Sequence, residues 1–231
     1  MLELVVVLGL TPVLISIVYT FFSTVNRAYY SESSKIETNG DARSTIVFMS
    51  TELRNAIYID PAQTTSDQIR FWRCSKDGDR GFSTGGNSST TLNDSNKAWT
   101  NNQFAATFIA ITAGTGEGQM RYVTGNTATQ LTITPAWPTV PDDTSVYNLD
   151  VSISEFYLHT DDKVYYRLSD GDGELHHEAL LEDVTVLQFT LDPALPVTNE
   201  VQILMTYRDC AEDANHTVDL QNGIYLRNLD S

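Results

Sequence analysis

The sequence predicts an α+β protein: one long N-terminal hydrophobic α-helix packed on an antiparallel β-sheet domain that carries a β-rich insertion. Three observations predict it. Residues Met1 to Phe22 hold one charge, Glu3, and no basic residue. Apolar positions then recur at helical spacing as far as Ile57. From Pro61 onward, short β-branched and aromatic runs alternate with clusters of Gly, Ser, Asn and Asp, which is strand-and-turn chemistry. On this reading residues 1–60 form the helix, 61–231 a β-rich head, and 98–149 an inserted β module.

As a helix, Met1 to Phe22 is roughly 33 Å long, about the hydrocarbon thickness of a bilayer. A carboxylate near the end of such a helix needs a partner. A secretory signal peptide would have a basic start and a small-residue cleavage site, yet no Lys or Arg precedes Arg27. A single-pass anchor fits the length. So does a helix that sits first in the membrane and later packs against copies of itself, with Glu3 meeting the amino terminus of a neighbour's Met1. Pro12 has no N–H for the Leu8 carbonyl, and Gly9 adds freedom. Together they predict unwinding between about Gly9 and Ser16.

Beyond Phe22 the pattern turns amphipathic. Val25, Tyr29, Ile36, Ile46, Met49, Leu53 and Ile57 mark one helical face. Gly40 is a soft spot in a single long helix. Helix is expected to stop near Ile59-Asp60-Pro61, because a residue before proline resists helical geometry. The aromatics Tyr19, Phe21, Phe22, Tyr29 and Tyr30 read as an interfacial belt followed by packing.

Several of these runs are similar to one family. Leu2-Glu3-Leu4-Val5-Val6-Val7-Leu8-Gly9-Leu10 resembles the start of mature type IV pilins and type II secretion pseudopilins. Asn26-Arg27-Ala28-Tyr29-Tyr30 and Phe48-Met49-Ser50-Thr51-Glu52-Leu53-Arg54-Asn55-Ala56 are similar to PilW-type minor pilins and J-type pseudopilins, as is Gly223-Ile224-Tyr225-Leu226-Arg227-Asn228 near the end. The glutamate is third here, where the family's is fifth. The resemblance implies a pilin fold, a mature N-terminus, docking of Glu3 on Met1, and a helix that melts near Gly9 and Pro12 inside a filament.

The strands follow in order. Gln68 to Cys74 is the first. Ser75 to Thr100 reads as a long surface excursion rich in turn residues. Phe104 to Leu149 reads as a compact β unit, with turns at Gly114 to Gly118 and at Gly125-Asn126; it is similar to small β modules of surface and phage structural proteins. Val151 to Leu158, Lys163 to Leu168, Val184 to Leu191 and Val201 to Arg208 are further strands, with Val218 and Ile224 to Leu226 finishing the sheet. Hairpin links make it antiparallel and able to cover the second half of the helix.

The net charge of -16 disfavours nucleic acid, whose phosphates need a basic face. Cys74 and Cys210 are the only cysteines. In an exported protein an even pair suggests one disulfide; two buried thiols are the alternative. Asn87, Asn93 and Asn215 head glycosylation acceptor triplets. Asp170, Asp172 and Glu174 alternate with glycines and offer oxygens to calcium, although the full loop pattern is absent. His176 and His177 are adjacent, so on a strand they point to opposite faces. No nucleophile, metalloprotease or cofactor motif is present.

The expectation is therefore a non-enzymatic structural subunit of an extracellular type IV pilus-like filament. It would wait in the cytoplasmic membrane before assembly. Its partners would be copies of itself, other pilins and the assembly machinery. The alternatives are a low-copy minor pilin or pseudopilin that primes or tips a fibre, and a membrane-anchored surface binding protein that never polymerises.

Overall fold

The structure is a computed structural model. It describes residues 2–169, 175–192, 200–208 and 217–226, with side chains from Leu10 onward except at 175 and 176. The helix α1 spans Leu2–Arg54. Strands follow as β1 (Ala56–Ile59), β2 (Gln68–Cys74), β3 (Arg80–Phe82), β4 (Thr91–Asn93), β5 (Phe108–Ala113), β6 (Met120–Asn126) and β7 (Gln130–Thr134). Then come β8 (Val146–Leu149), β9 (Val151–Leu158), β10 (Val164–Ser169), β11 (Leu175–Leu181), β12 (Val184–Asp192), β13 (Glu200–Arg208) and β14 (Thr217–Tyr225).

Three antiparallel sheets result: β1-β2-β9-β10-β11, β12-β13-β14, and β3-β8-β5-β6-β7-β4. The α+β class is as expected. The head is not one sheet, however. The C-terminal part of α1 shares one core with the five-stranded and the three-stranded sheets. Ala42, Ile46, Met49 and Leu53 from the helix meet Phe71, Phe156 and Val164 from one sheet and Leu187, Ile203 and Met205 from the other. Phe48 stands edge-on to Phe156 and Tyr166, with centroids 6.0 and 5.3 Å away. Polar pins add register: Tyr207 Oη donates to Asn39 Oδ1 at 2.5 Å, and Asn222 Nδ2 donates to Ser50 Oγ at 2.7 Å.

The helix ends earlier than residue 60. Asn55 N–H bonds the Glu52 carbonyl in a tightened last turn, and Arg54 suits the negative helix end. Ala56-Ile57-Tyr58-Ile59 is β-branched and aromatic. It pairs with β2, Tyr58 opposite Trp72 and Ile59 opposite Phe71, so Ile57 lies on a strand. Glu52 and Arg73 form an ion pair that ties the helix end to β2. The unwinding expected between Gly9 and Ser16 is also absent from the isolated chain, whose helix runs through Gly9, Pro12 and Gly40. Proline removes one hydrogen bond while the turns on either side keep theirs.

The six-stranded sheet curls into a small barrel. Its edges β3 and β4 are brought together where Thr84 N–H bonds the Asn93 carbonyl at 2.9 Å and Ser95 N–H bonds Thr84 Oγ1 at 3.0 Å. Leu92, Trp99, Ile109, Ile111, Leu131 and Tyr147 fill the interior. The module therefore takes in strands before residue 98, within the stretch expected to be loop. Asn126 is buried inside β6 rather than at a turn tip. Its amide donates to the Thr100 and Thr127 carbonyls, and its oxygen accepts from Phe104 N–H. A buried seam of Ile57, Trp72, Ala110 and Val151 joins barrel to sheet, with the Tyr58 and Trp72 rings stacked at 4.3 Å.

Candidate functional site

The exposed stem of α1 is the candidate site. The first helix residue in the core is Ala42. Before it, Val13, Leu14, Ile15, Ile17, Val18, Tyr19, Phe21 and Phe22 are all between 54 and 74% exposed. Val25, Tyr29 and Ile36, expected on a buried face, are exposed as well.

At about 100° per residue these apolar side chains sweep roughly two-thirds of the circumference. The remaining seam carries Ser16, Thr20, Ser23 and Thr24. Their hydroxyls turn back onto the helix: Thr20 Oγ1 donates to the Ser16 carbonyl at 2.8 Å, and Ser23 Oγ and Thr24 Oγ1 donate to the Thr20 carbonyl at 2.9 and 2.8 Å. No face of this segment needs water. A helix apolar nearly all round is built to be surrounded, either by lipid or by other helices, and hydroxyls bonded to their own backbone suit both.

Glu3 and Gly9 lie within α1, with their side chains outside the described residues, as is Met1. Among the described residues no helix is long and apolar enough to cross a membrane; the side chains of 1–9 stand outside that statement.

Cys74 carries a free thiol among the described residues, and its expected bridge involves a residue beyond them. Cys210 itself lies outside the described residues. Cys74 lies beside Asn55, at the C-terminal end of the helix. The thiol donates to the Leu149 carbonyl at 3.3 Å. Burial pushes its pKa up, helped by Asp150 and Asp79.

Two of the acceptor asparagines, Asn87 and Asn93, are structural. Asn87 Nδ2 donates to Ser83 Oγ at 2.6 Å and to the Pro141 carbonyl at 2.7 Å, while its oxygen takes Asn93 N–H at 2.7 Å. Asn93 Nδ2 donates to the Gly86 carbonyl at 2.7 Å. Both amides are thus committed to the fold. Asn215 lies outside the described residues, as do Asp170, Asp172 and Glu174 and the side chain of His176. No cluster suited to a metal occurs among the described residues.

Sequence reasoning missed two polar constellations. In the barrel, Tyr147 Oη donates to the buried Asp94 at 2.6 Å. Beside it Asp79 accepts from Lys97 Nζ at 2.8 Å and Trp99 Nε1 at 2.7 Å. Burial pushes the Asp79 carboxyl up, and these donors outweigh it, leaving the carboxyl below its ordinary range. On the outer face of β9–β11, Tyr165 and His177 stack at 4.6 Å, and Tyr157 hydrogen-bonds His177 Nε2 at 2.5 Å. Beneath them the buried Glu155 is held by Arg167 at 3.0 Å and Gln68 at 2.6 Å. The alternation of Tyr157 and His159 against Tyr165 and Arg167 on facing strands was the available signal.

Comparison with protein families, with curated proteins and with solved structures returns no match to this chain.

Proposed function

We propose that the chain is a structural subunit of an extracellular type IV pilus-like filament. One observation carries the reading: a helical stem, apolar around most of its circumference, stands free of a head that keeps its own core. Such a stem resides in the cytoplasmic membrane before assembly and among the stems of other copies afterwards. Glu3 docks on the amine of a neighbour's Met1. In the dry filament core that pair is strong, and removing one partner leaves an uncompensated charge.

Electron microscopy of sheared surface fibres, with subunit counting by quantitative mass spectrometry, tests this. The chain is expected as an abundant, regular component. Traces only would mark a priming or pseudopilin subunit, and full-length chain confined to the membrane fraction would leave an anchored protein that never polymerises. Glu3→Ala is expected to abolish fibres while circular dichroism of the head stays native; normal fibres from that variant would overturn the docking role.

A further inference from the structure

The rim of the barrel carries an aromatic ring that the fold does not use. Phe82, on β3, is 60% exposed and stands outside the barrel core. It borders a cleft of about 530 Å³ lined also by Arg80, Gly81, Asp94, Asn96 and Lys97. The polar walls are fixed in place. Asp94 is 1% exposed; its oxygens accept from Tyr147 Oη at 2.6 Å and from Asn96 N–H at 3.0 Å. Lys97 Nζ is held by Asp79 and by the Arg80 carbonyl at 2.7 Å. A Cβ on Gly81 would lie 2.4 Å from Tyr147 Oη and 2.6 Å from Asp94 Oδ2, so only glycine lets the strand lie this close to the carboxylate.

We propose that this cleft, with Phe82 beside Asp94, Asn96 and Lys97, binds a neutral saccharide. The ring's C–H face lies on Phe82, and its hydroxyls reach the Asn96 amide and the Lys97 ammonium, with the buried Asp94 carboxylate holding the wall behind them. The chemistry of the lining selects that class. Arg80 and Lys97 balance Asp94 and Asp79, so neither an anion nor a cation gains from the site. A purely apolar partner would strip water from Asn96 and Lys97 without replacing it. A sugar offers one apolar face and several hydroxyls that both donate and accept, and small-molecule sites pair an apolar surface with a few placed polar groups in this way. The site is independent of the stem and of the filament reading.

Saturation-transfer NMR on the full chain tests it, with maltose, cellobiose, lactose and diacetylchitobiose as probes at about 10 mM, well above a dissociation constant of about 1 mM. Transfer to the ring protons of at least one sugar is expected. Phe82→Ala should weaken that binding by about tenfold, a loss of the order seen when an aromatic stacking platform is removed. Phe82→Tyr should retain it. The melting temperature of each variant should match the parent, because the side chain is outside the core. Silence from all four sugars would overturn the proposal, as would undiminished transfer in Phe82→Ala. So would a Phe82→Ala variant that changes self-association and leaves sugar binding intact, since Phe82 would then be a protein contact.

Discussion

The thiol of Cys74 is governed by burial, by the Leu149 carbonyl it bonds and by the carboxylates of Asp150 and Asp79. Without reductant the denatured protein should take up two equivalents of alkylating reagent per chain; uptake of none would restore the bridge to Cys210. In the native state the half-buried thiol should react with Ellman's reagent slowly at pH 8 and faster as pH rises past the ordinary thiol range. Tyr58 gives a stability readout of the same kind. Burial first, then Glu117 and Asp60, raise its pKa to about 12. The folded state therefore holds its proton above pH 10, where the unfolded chain releases it. That contribution is fully present below pH 10 and is lost as pH rises to about 12; two units at full strength are about 2.7 kcal/mol, and solvent screening of this half-buried ring lowers it below that. Urea midpoints measured across that window should fall, and Tyr58→Phe should flatten the fall.

At the scale of elements, α1 has two regimes along one continuous helix. Met49 is fully buried, so Met49→Ala should cost about 2–5 kcal/mol in denaturant unfolding. Ile36 is 72% exposed, and Ile36→Ala should stay within about 0.5 kcal/mol. Equal costs at the two positions would mean that the helix packs along its whole length. In the barrel, Gly114 has φ 78° and its Cβ would fall 2.1 Å from the Thr144 carbonyl oxygen. Gly114→Ala thus meets both backbone strain and backbone contact, and should lower the thermal midpoint by several degrees. The end of α1 follows from a competition between neighbours: Ala56 to Ile59 can continue a helix by period, but pairing with β2 buries Ile57 and Ile59 as strand residues.

At the scale of the molecule, head and stem are separable. Among the described residues none before Ala42 is in the core, although Asn39 carries one pin from Tyr207. Deleting residues 1–30 should leave a folded head with a thermal midpoint close to that of the full chain, checked by circular dichroism and scanning calorimetry. The full chain should need detergent or self-association to stay dispersed, because its stem presents an apolar patch far beyond the few hundred Å² usual on a monomer. A full chain that is monomeric in plain buffer would remove the physical basis of the assembly proposal.

The sequence by itself determined the class, the long helix and most strands, because these are local matters. β2 and β9 match their expected bounds residue for residue, since β-branched and aromatic runs favour strand locally. The unbroken apolar character of the stem was equally plain. Only the tertiary structure decided what depends on residues distant in sequence. β3 and β4 are three residues each, too short to carry a period, and exist because β8 and β7 offer them partners. The division of the head into two sheets around α1, the closure of the barrel, the bond from Cys74 to the Leu149 carbonyl and the burial of Asp94 under Tyr147 all arise from long-range packing, which no local pattern records.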